Sequence, residues 1–206
     1  MNINSQIGIV GAGTMGLGIA HTFAQHGYSV LLVDQSNSIL NHAISVIEKN
    51  MIRQVNKQII SEEVKNTSLD NISLSMNLDD LKRADLVIEA VSENLKIKSE
   101  IFSRLDNICK NETILASNTS SISIQTLAKT TKRSTQCIGM HFMNPVPLMK
   151  LVEVIYCKET SEKTVEKIFD YSHAINKTPV KCFDSPGFIS NRILMPMINE
   201  AAFCLM

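Results

Sequence analysis

The stretch 7–34, IGIVGAGTMGLGIAHTFAQHGYSVLLVD, confines this chain more tightly than any other feature, because it reads without interruption as strand, glycine turn, helix, strand and terminal acid. Ile7, Ile9 and Val10 supply a short buried strand, and Gly11, Gly13 and Gly16 follow in the spacing G-x-G-x-x-G. Gly11 makes the tight turn, Gly13 removes the Cβ that would hold a pyrophosphate off the backbone, and Gly16 lets the helix pack closely on the strand. A helix opening at Thr14 and Met15 turns unpaired N–H groups and a positive dipole end towards such a phosphate. Ile19, Ala20, Phe23 and Ala24 share one face of that helix, Gly27 suits its C′ position, and 28–33 forms the next strand.

Asp34 ends that strand 18 residues beyond the last glycine, where a ribose-binding carboxylate is expected. A glycine triplet alone marks ordinary turns as well. Its place between a strand and a helix, with the acid behind it, makes this a dinucleotide site with Gly11, Gly13, Thr14, Met15, Gly16 and Asp34 as candidate contacts. The carboxylate accepts hydrogen bonds from a ribose 2′-OH and repels a 2′-phosphate. Gln35 and Ser36 follow it rather than an arginine, so the pattern favours NAD over NADP.

Hydrophobic residues make up 44% of the 206 and charged residues 19%, which suffices for a proper core in one large domain, or one domain and part of another. Twenty basic residues balance twenty acidic ones, leaving no excess to drive binding to nucleic acid or an anionic membrane. Residues 1–33 carry no charged side chain. Gly, Asn, Gln and His break that stretch too often for a membrane span, and it lacks the basic start and cleavage site of a signal peptide. Cytoplasmic residence is the expectation. Cys109, Cys137, Cys157, Cys182 and Cys204 form no C-x-x-C pair and suit buried free thiols better than disulfides or a zinc site. No metal is expected.

Strand and helix signals alternate along most of the chain, predicting an α/β fold with a doubly wound, mostly parallel sheet covered on both faces. A long helical region over 39–60 buries Ile39, Ala43, Ile47 and Met51. Its Lys49, Arg53 and Lys57 form a solvated face or meet a phosphorylated ligand. Another short helix starts at Ser61, and strands are predicted over 72–76, 85–91 and 113–116. A helix over 95–108 follows the second of these, with Ile97, Ile101, Phe102, Leu105 and Ile108 inward. Glu93, Lys98 and residues 118–121 then lie beyond strand carboxyl ends, where ligands collect in open sheets. Strands over 137–140 and 151–156 flank the turn Asn144-Pro145-Val146-Pro147, and a helix through Val165 and Ile175 leads to a last strand over 179–183. From Ser185 the pattern changes to an apolar helix, Ile189, Ile193, Met197, Ala201 and Leu205, with a kink expected at Pro196.

Four further segments join the glycine turn: SENLKIK at 92–98, SNTSS at 117–121, GMHFMNPVPLMKLVEVI at 139–155 and DSPGFISNRIL at 184–194. In this order and spacing they resemble the L-3-hydroxyacyl-CoA dehydrogenases along the whole chain, especially the bacterial 3-hydroxybutyryl-CoA branch. The resemblance implies that His141 is the catalytic histidine and Glu153 its partner. Ser120 and Asn191 would bind the substrate hydroxyl or its developing carbonyl. Glu93, Lys98, Ser120 and Asn144 would contact the ribose and nicotinamide of NAD, and Lys57 the CoA, with Asn50 at the place of a second CoA contact. Read alone, His141 is more often structural, Ser120 a helix cap and Asn191 a helix-surface residue. The chemistry agrees with the resemblance, since oxidising a secondary alcohol needs a base that titrates near neutrality and a carboxylate to fix its tautomer.

The resemblance also implies an NAD-binding domain over 1–184, and at 185–206 the start of an all-helical domain that closes the acyl site and forms a homodimer. Phe188, Ile189, Ile193 and Leu194 are then expected to be exposed, to enter a neighbour, or to fold back on the sheet. The implied reaction converts a (3S)-3-hydroxyacyl-CoA and NAD reversibly to a 3-oxoacyl-CoA and NADH. A remnant that holds NAD without turnover is the alternative.

Overall fold

A computed structural model describes residues 5–206. Eight strands form one sheet: β1 (Gln6–Val10), β2 (Ser29–Val33), β3 (Ile72–Ser75), β4 (Leu86–Glu89), β5 (Ile114–Ser117), β6 (Cys137–Phe142), β7 (Leu151–Tyr156) and β8 (Thr178–Phe183). Their spatial order is β3-β2-β1-β4-β5-β6-β7-β8. Neighbours run parallel except β6 and β7, which are antiparallel. The chain leaves β1 towards β2 on one side and returns as β4 on the other, so the strand order reverses between β1 and β4. That switch point opens a crevice beyond the strand ends.

The described residues also form helices α1 (Thr14–Gln25), α2 (Asn37–Asn56), α3 (Glu62–Asp70), α4 (Leu95–Ile108), α5 (Ile124–Ala128), α6 (Glu162–Ala174) and α7 (Ser190–Phe203), with short 3-10 turns at Leu78–Arg83 and Ser134–Gln136. Alternation along the strands divides their apolar side chains between two cores. Ile7, Ile9 and Ile88 pack with Phe23 of α1, Leu40 and Met51 of α2 and Ile168 of α6. Val10, Val33 and Val87 pack with Phe102 and Leu105 of α4 and Leu127 of α5. Burying a residue such as Phe23 or Phe102 contributes roughly 2–3 kcal/mol, and both are almost wholly enclosed.

Most predicted elements are present, with informative differences. The buried stripe of α2 begins at Leu40, while Ile39 is exposed. On α4, Ile97 is exposed and Lys98 occupies a buried place beside Phe102 and Leu105. Helix α2 ends at Asn56, with Gln58 at φ 57° just beyond, rather than running to 60. Helix α5, a single turn capped by Ser123, was not expected from the sequence. Strand β6 runs two residues past the expected end at Met140, so His141 and Phe142 lie within it. Four cysteines are buried free thiols, whereas Cys204 is exposed. Burial pushes Cys109, Cys137 and Cys182 up to about 11.

No described helix is long and apolar enough to cross a membrane. Among the described residues no cluster of three metal-ligating side chains occurs.

Candidate functional site

The glycine turn after β1 is shaped by sterics. Gly11 has φ +100°, and a Cβ there would meet the Ala90 carbonyl oxygen at 2.7 Å. A Cβ on Gly16 would lie 1.8 Å from the Gly11 carbonyl oxygen and 3.5 Å from the Ile9 side chain, so this glycine accommodates the turn's own backbone more than strand β1. Over Gly13 nothing lies within 4 Å. Gly13 is also the N-cap of α1, with no side-chain cap and no acid in the first turn, so the first N–H groups, Thr14 and Met15 included, face that open space without a competing anion. A dinucleotide pyrophosphate fits these features.

Beside the turn lies a cavity of about 620 Å³, lined by Gly11, Gly13, Asp34, Ile39, Met76, Ile97 and Arg104 among others. Ile39 and Ile97, misplaced into the core by helical spacing, are exposed because they wall this cavity. Arg104 reaches it from α4, a contributor that the sequence around Asp34 does not reveal. The Asp34 carboxylate accepts a hydrogen bond from the Ala12 amide at 2.8 Å and a longer one from Ser36 at 3.3 Å. It therefore braces the glycine turn while bordering the cavity.

The second part of the site sits on the antiparallel β6–β7 pair. His141 and Glu153 are direct cross-strand partners, so their separation of 12 positions is what a hairpin needs to put both side chains on one face. The His141 Nδ1–H donates to Glu153 Oε2 at 2.7 Å. Glu153 is 1% exposed and His141 9%. The other carboxylate oxygen accepts from the backbone amides of Ile189 at 3.0 Å and Ser190 at 2.7 Å, at the start of α7. Burial raises the Glu153 pKa, but hydrogen bonds from His141, Ser190 and Ile189 outweigh it and hold the group below the usual carboxylate range. An ionised Glu153 requires the imidazole proton on Nδ1, which leaves Nε2 as a base. Phe188, at φ 51° and 2% exposed, packs its ring 5.9 Å from that of His141. Of the four apolar residues expected around the start of α7, this one folds back into the core, whereas Ile189, Ile193 and Leu194 are exposed.

Between these parts runs a polar network. Glu93 Oε1 accepts from the Ser120 and Ser121 amides at 3.0 Å each, from Ser121 Oγ at 2.9 Å, from Ser120 Oγ at 3.4 Å and from the Thr119 hydroxyl. Burial pushes the Glu93 carboxyl up, and bonds from Thr119 and Ser121, then the Lys98 charge, bring it below its ordinary value. Lys98 is 1% exposed, its ammonium 2.7 Å from Glu89 and 3.5 Å from Glu93. Lys98 lies beside Glu93 and supports it from the buried side. The buried Glu89, which also accepts from Val91 N and Ser117 Oγ, was missed because a strand-end glutamate carries no sequence signature. Ser120 does not cap a helix, and its carbonyl accepts from Asn191 Nδ2 at 3.3 Å. Asn191 thus joins the start of α7 to the loop after β5. Asn144 is exposed in the loop after β6. Lys57 is the exposed C-cap residue of α2, and the nearby Asn50 accepts from Arg53. No bond ties either to the residues around His141.

Residues 6–185 match the family described as 3-hydroxyacyl-CoA dehydrogenase, NAD binding domain. The chain is 46% identical over 196 residues to the 3-hydroxybutyryl-CoA dehydrogenase of Clostridioides difficile, covering 95% of this chain and 70% of that protein. It is 44% identical to the human mitochondrial hydroxyacyl-coenzyme A dehydrogenase, covering 97% of this chain and 65% of the relative. The crystal structure of (S)-3-hydroxybutyryl-CoA dehydrogenase PaaH1 from Ralstonia eutropha superposes with a TM-score of 0.94 at 44% identity, over 96% of this chain and 70% of that one.

Proposed function

The chain belongs to the 3-hydroxyacyl-CoA dehydrogenase family and carries its NAD-binding domain. From that premise we propose that it catalyses the reversible NAD-dependent oxidation of a short-chain (3S)-3-hydroxyacyl-CoA, such as 3-hydroxybutyryl-CoA, to the 3-oxoacyl-CoA. The observation that carries the reading is the buried His141–Glu153 pair, 2.7 Å apart, on the sheet that also presents the glycine turn. The open space over Gly13 and the Asp34 carboxylate would hold NAD, which when bound would supply the hydride acceptor. His141 Nε2 takes the hydroxyl proton while C3 gives up its hydride, and the C–O bond becomes a carbonyl. Glu153 holds the imidazole proton on Nδ1 and stabilises the imidazolium that forms. Ser120 and Asn191, already joined through one hydrogen bond, orient the substrate oxygen. Glu93 and Asn144 border the nicotinamide ribose, and Lys57 meets the CoA. Work in the cytoplasm, a homodimer, and a functional boundary near residue 184, between β8 and α7, belong to the same reading.

The test mixes the purified protein with NADH and acetoacetyl-CoA and follows NADH absorbance. The expected result is turnover that His141→Ala lowers by roughly a thousandfold, within the range for a general base, with NADH affinity unchanged. Binding of NADH without turnover by the native chain would instead establish a nucleotide-holding protein.

A further inference from the structure

Lys177 is a charged side chain to which the reaction above gives no part. It lies between α6 and β8 and is 6% exposed. Its ammonium donates to the backbone carbonyl of Val146, and to that of Met149 at 2.8 Å. Both carbonyls belong to the loop 143–150, which joins His141 on β6 to Glu153 on β7 and carries Asn144. The charged or titratable groups around it are Lys150 and His26, which line the same cavity, and His21 on α1. No carboxylate lines that cavity. Burial and then the Lys150 charge push the Lys177 pKa down to about 8, as befits a cation held by carbonyl dipoles without a counter-ion.

Two other contacts fasten the same loop. The Thr178 amide donates to the Lys150 carbonyl at 2.8 Å. The buried Val146 side chain sits on α1 at Gly18, where an added Cβ would come within 3.0 Å of it. Within the loop, the Leu148 and Met149 amides both donate to the Pro145 carbonyl at 3.0 Å. The loop therefore has an internal turn, a seat on α1 and an ammonium clamp at its base.

We propose that Lys177 is a positioning residue for the nicotinamide half of the site, holding the carbonyls of Val146 and Met149 so that the loop presents Asn144 beside His141. This rests on the dehydrogenase reading. Lys177 acts through the loop and touches neither substrate nor cofactor.

The test compares NADH with ADP, which lacks the nicotinamide and its ribose and draws only on the glycine turn and Asp34. In Lys177→Met the loss of two charge-assisted bonds is expected to weaken NADH roughly tenfold and to leave ADP affinity unchanged. Hydrogen-exchange protection of the Leu148 and Met149 amides should fall in parallel, and Lys177→Arg should restore both. If the Met variant does not fold, Lys177→Gln serves, since it keeps a polar end but cannot span both carbonyls. Unchanged loop protection would overturn the proposal, as would equal weakening of NADH and ADP, which would make Lys177 a general support. Native protein that bound neither ligand would instead overturn the dehydrogenase reading on which the positioning role rests.

Discussion

Around the glycine turn the cleft is walled by backbone, with Gly16 against the Gly11 carbonyl and bare space over Gly13. Around His141 it is walled by side chains whose hydrogen bonds cross from β6 to β7 and on to α7. The first arrangement forbids added atoms; the second forbids lost ones. Substitutions in the two regions should therefore fail differently, one through cofactor binding and the other through turnover.

The largest effect is expected at Glu153. Glu153→Ala removes the group that fixes the His141 tautomer, and turnover of acetoacetyl-CoA should fall by roughly ten-thousandfold, as for orienting carboxylates in other histidine sites. NADH affinity should stay within about twofold, because the glycine turn touches none of the atoms removed. The same variant strands the Ile189 and Ser190 amides, at a cost of about 1–3 kcal/mol in stability. Stopped-flow rates beside a fluorescence titration of NADH would check this, and equal loss in both would break the division between the two regions.

Gly16→Ala is the mirror experiment. A Cβ 1.8 Å from a backbone oxygen forces the turn open, and overpacking of this kind costs about 3 kcal/mol. NADH binding should collapse, while the His141 ring signal in an NMR spectrum should keep the shift imposed by Glu153 and Phe188. A displaced His141 signal would show that the two regions are mechanically one.

How much of each region could be read in advance follows from how it is built. The glycine turn, α1 and Asp34 lie within 28 consecutive residues, so local periodicity was enough to place them. The histidine site draws on β5, β6, β7 and α7, and only the ordered set of motifs named its members. The 12-residue separation of His141 and Glu153 acquires meaning once the strands are known to be antiparallel. Lys98 and Ile97 show why the remainder escaped. Helical spacing ranks positions by hydrophobicity, yet a lysine can enter a core when Glu89 receives it, and an isoleucine can leave it to line a cavity. Lys177 was unreadable because its partners are carbonyls, which every residue has.

Two buried histidines sharpen the comparison through pH. His141 faces a carboxylate, whereas His21 on α1 bonds only Gln25, and its Nδ1 has no hydrogen-bond partner. Burial drives the His21 pKa from 6.5 to about 4, against a small upward pull from Gln25, with His26 and Lys177 adding to the fall. The unfolded chain thus binds the proton first, and stability present above pH 6.5 is lost as pH falls towards 4, by about 3 kcal/mol in total. Glu153 and Glu93, held below the usual carboxylate range, contribute stability that is kept through most of that window and lost only at still lower pH. Thermal melts from pH 7.5 to 4.5 should show the decline, and His21→Leu should flatten it. A slope unchanged in that variant would assign the acid sensitivity elsewhere.

The smallest expected effect tests whether the backbone-walled region depends on side chains at all. Asp34 both braces Ala12 and borders the cavity, so Asp34→Ala removes a support for the turn together with a ribose acceptor. Asp34→Asn keeps an oxygen for the Ala12 amide and removes the charge. If the charge selects the cofactor, the Asn variant should weaken NADH by about tenfold, the worth of one charge-assisted bond. NADPH should be unaffected or improved, because its 2′-phosphate no longer meets an anion. If the brace is what matters, the Asn variant should bind both cofactors as the native protein does, while the Ala variant weakens both equally. Isothermal titration of the two variants with NADH and NADPH separates these outcomes, since charge selection changes the ratio of the two affinities and bracing changes only their common scale.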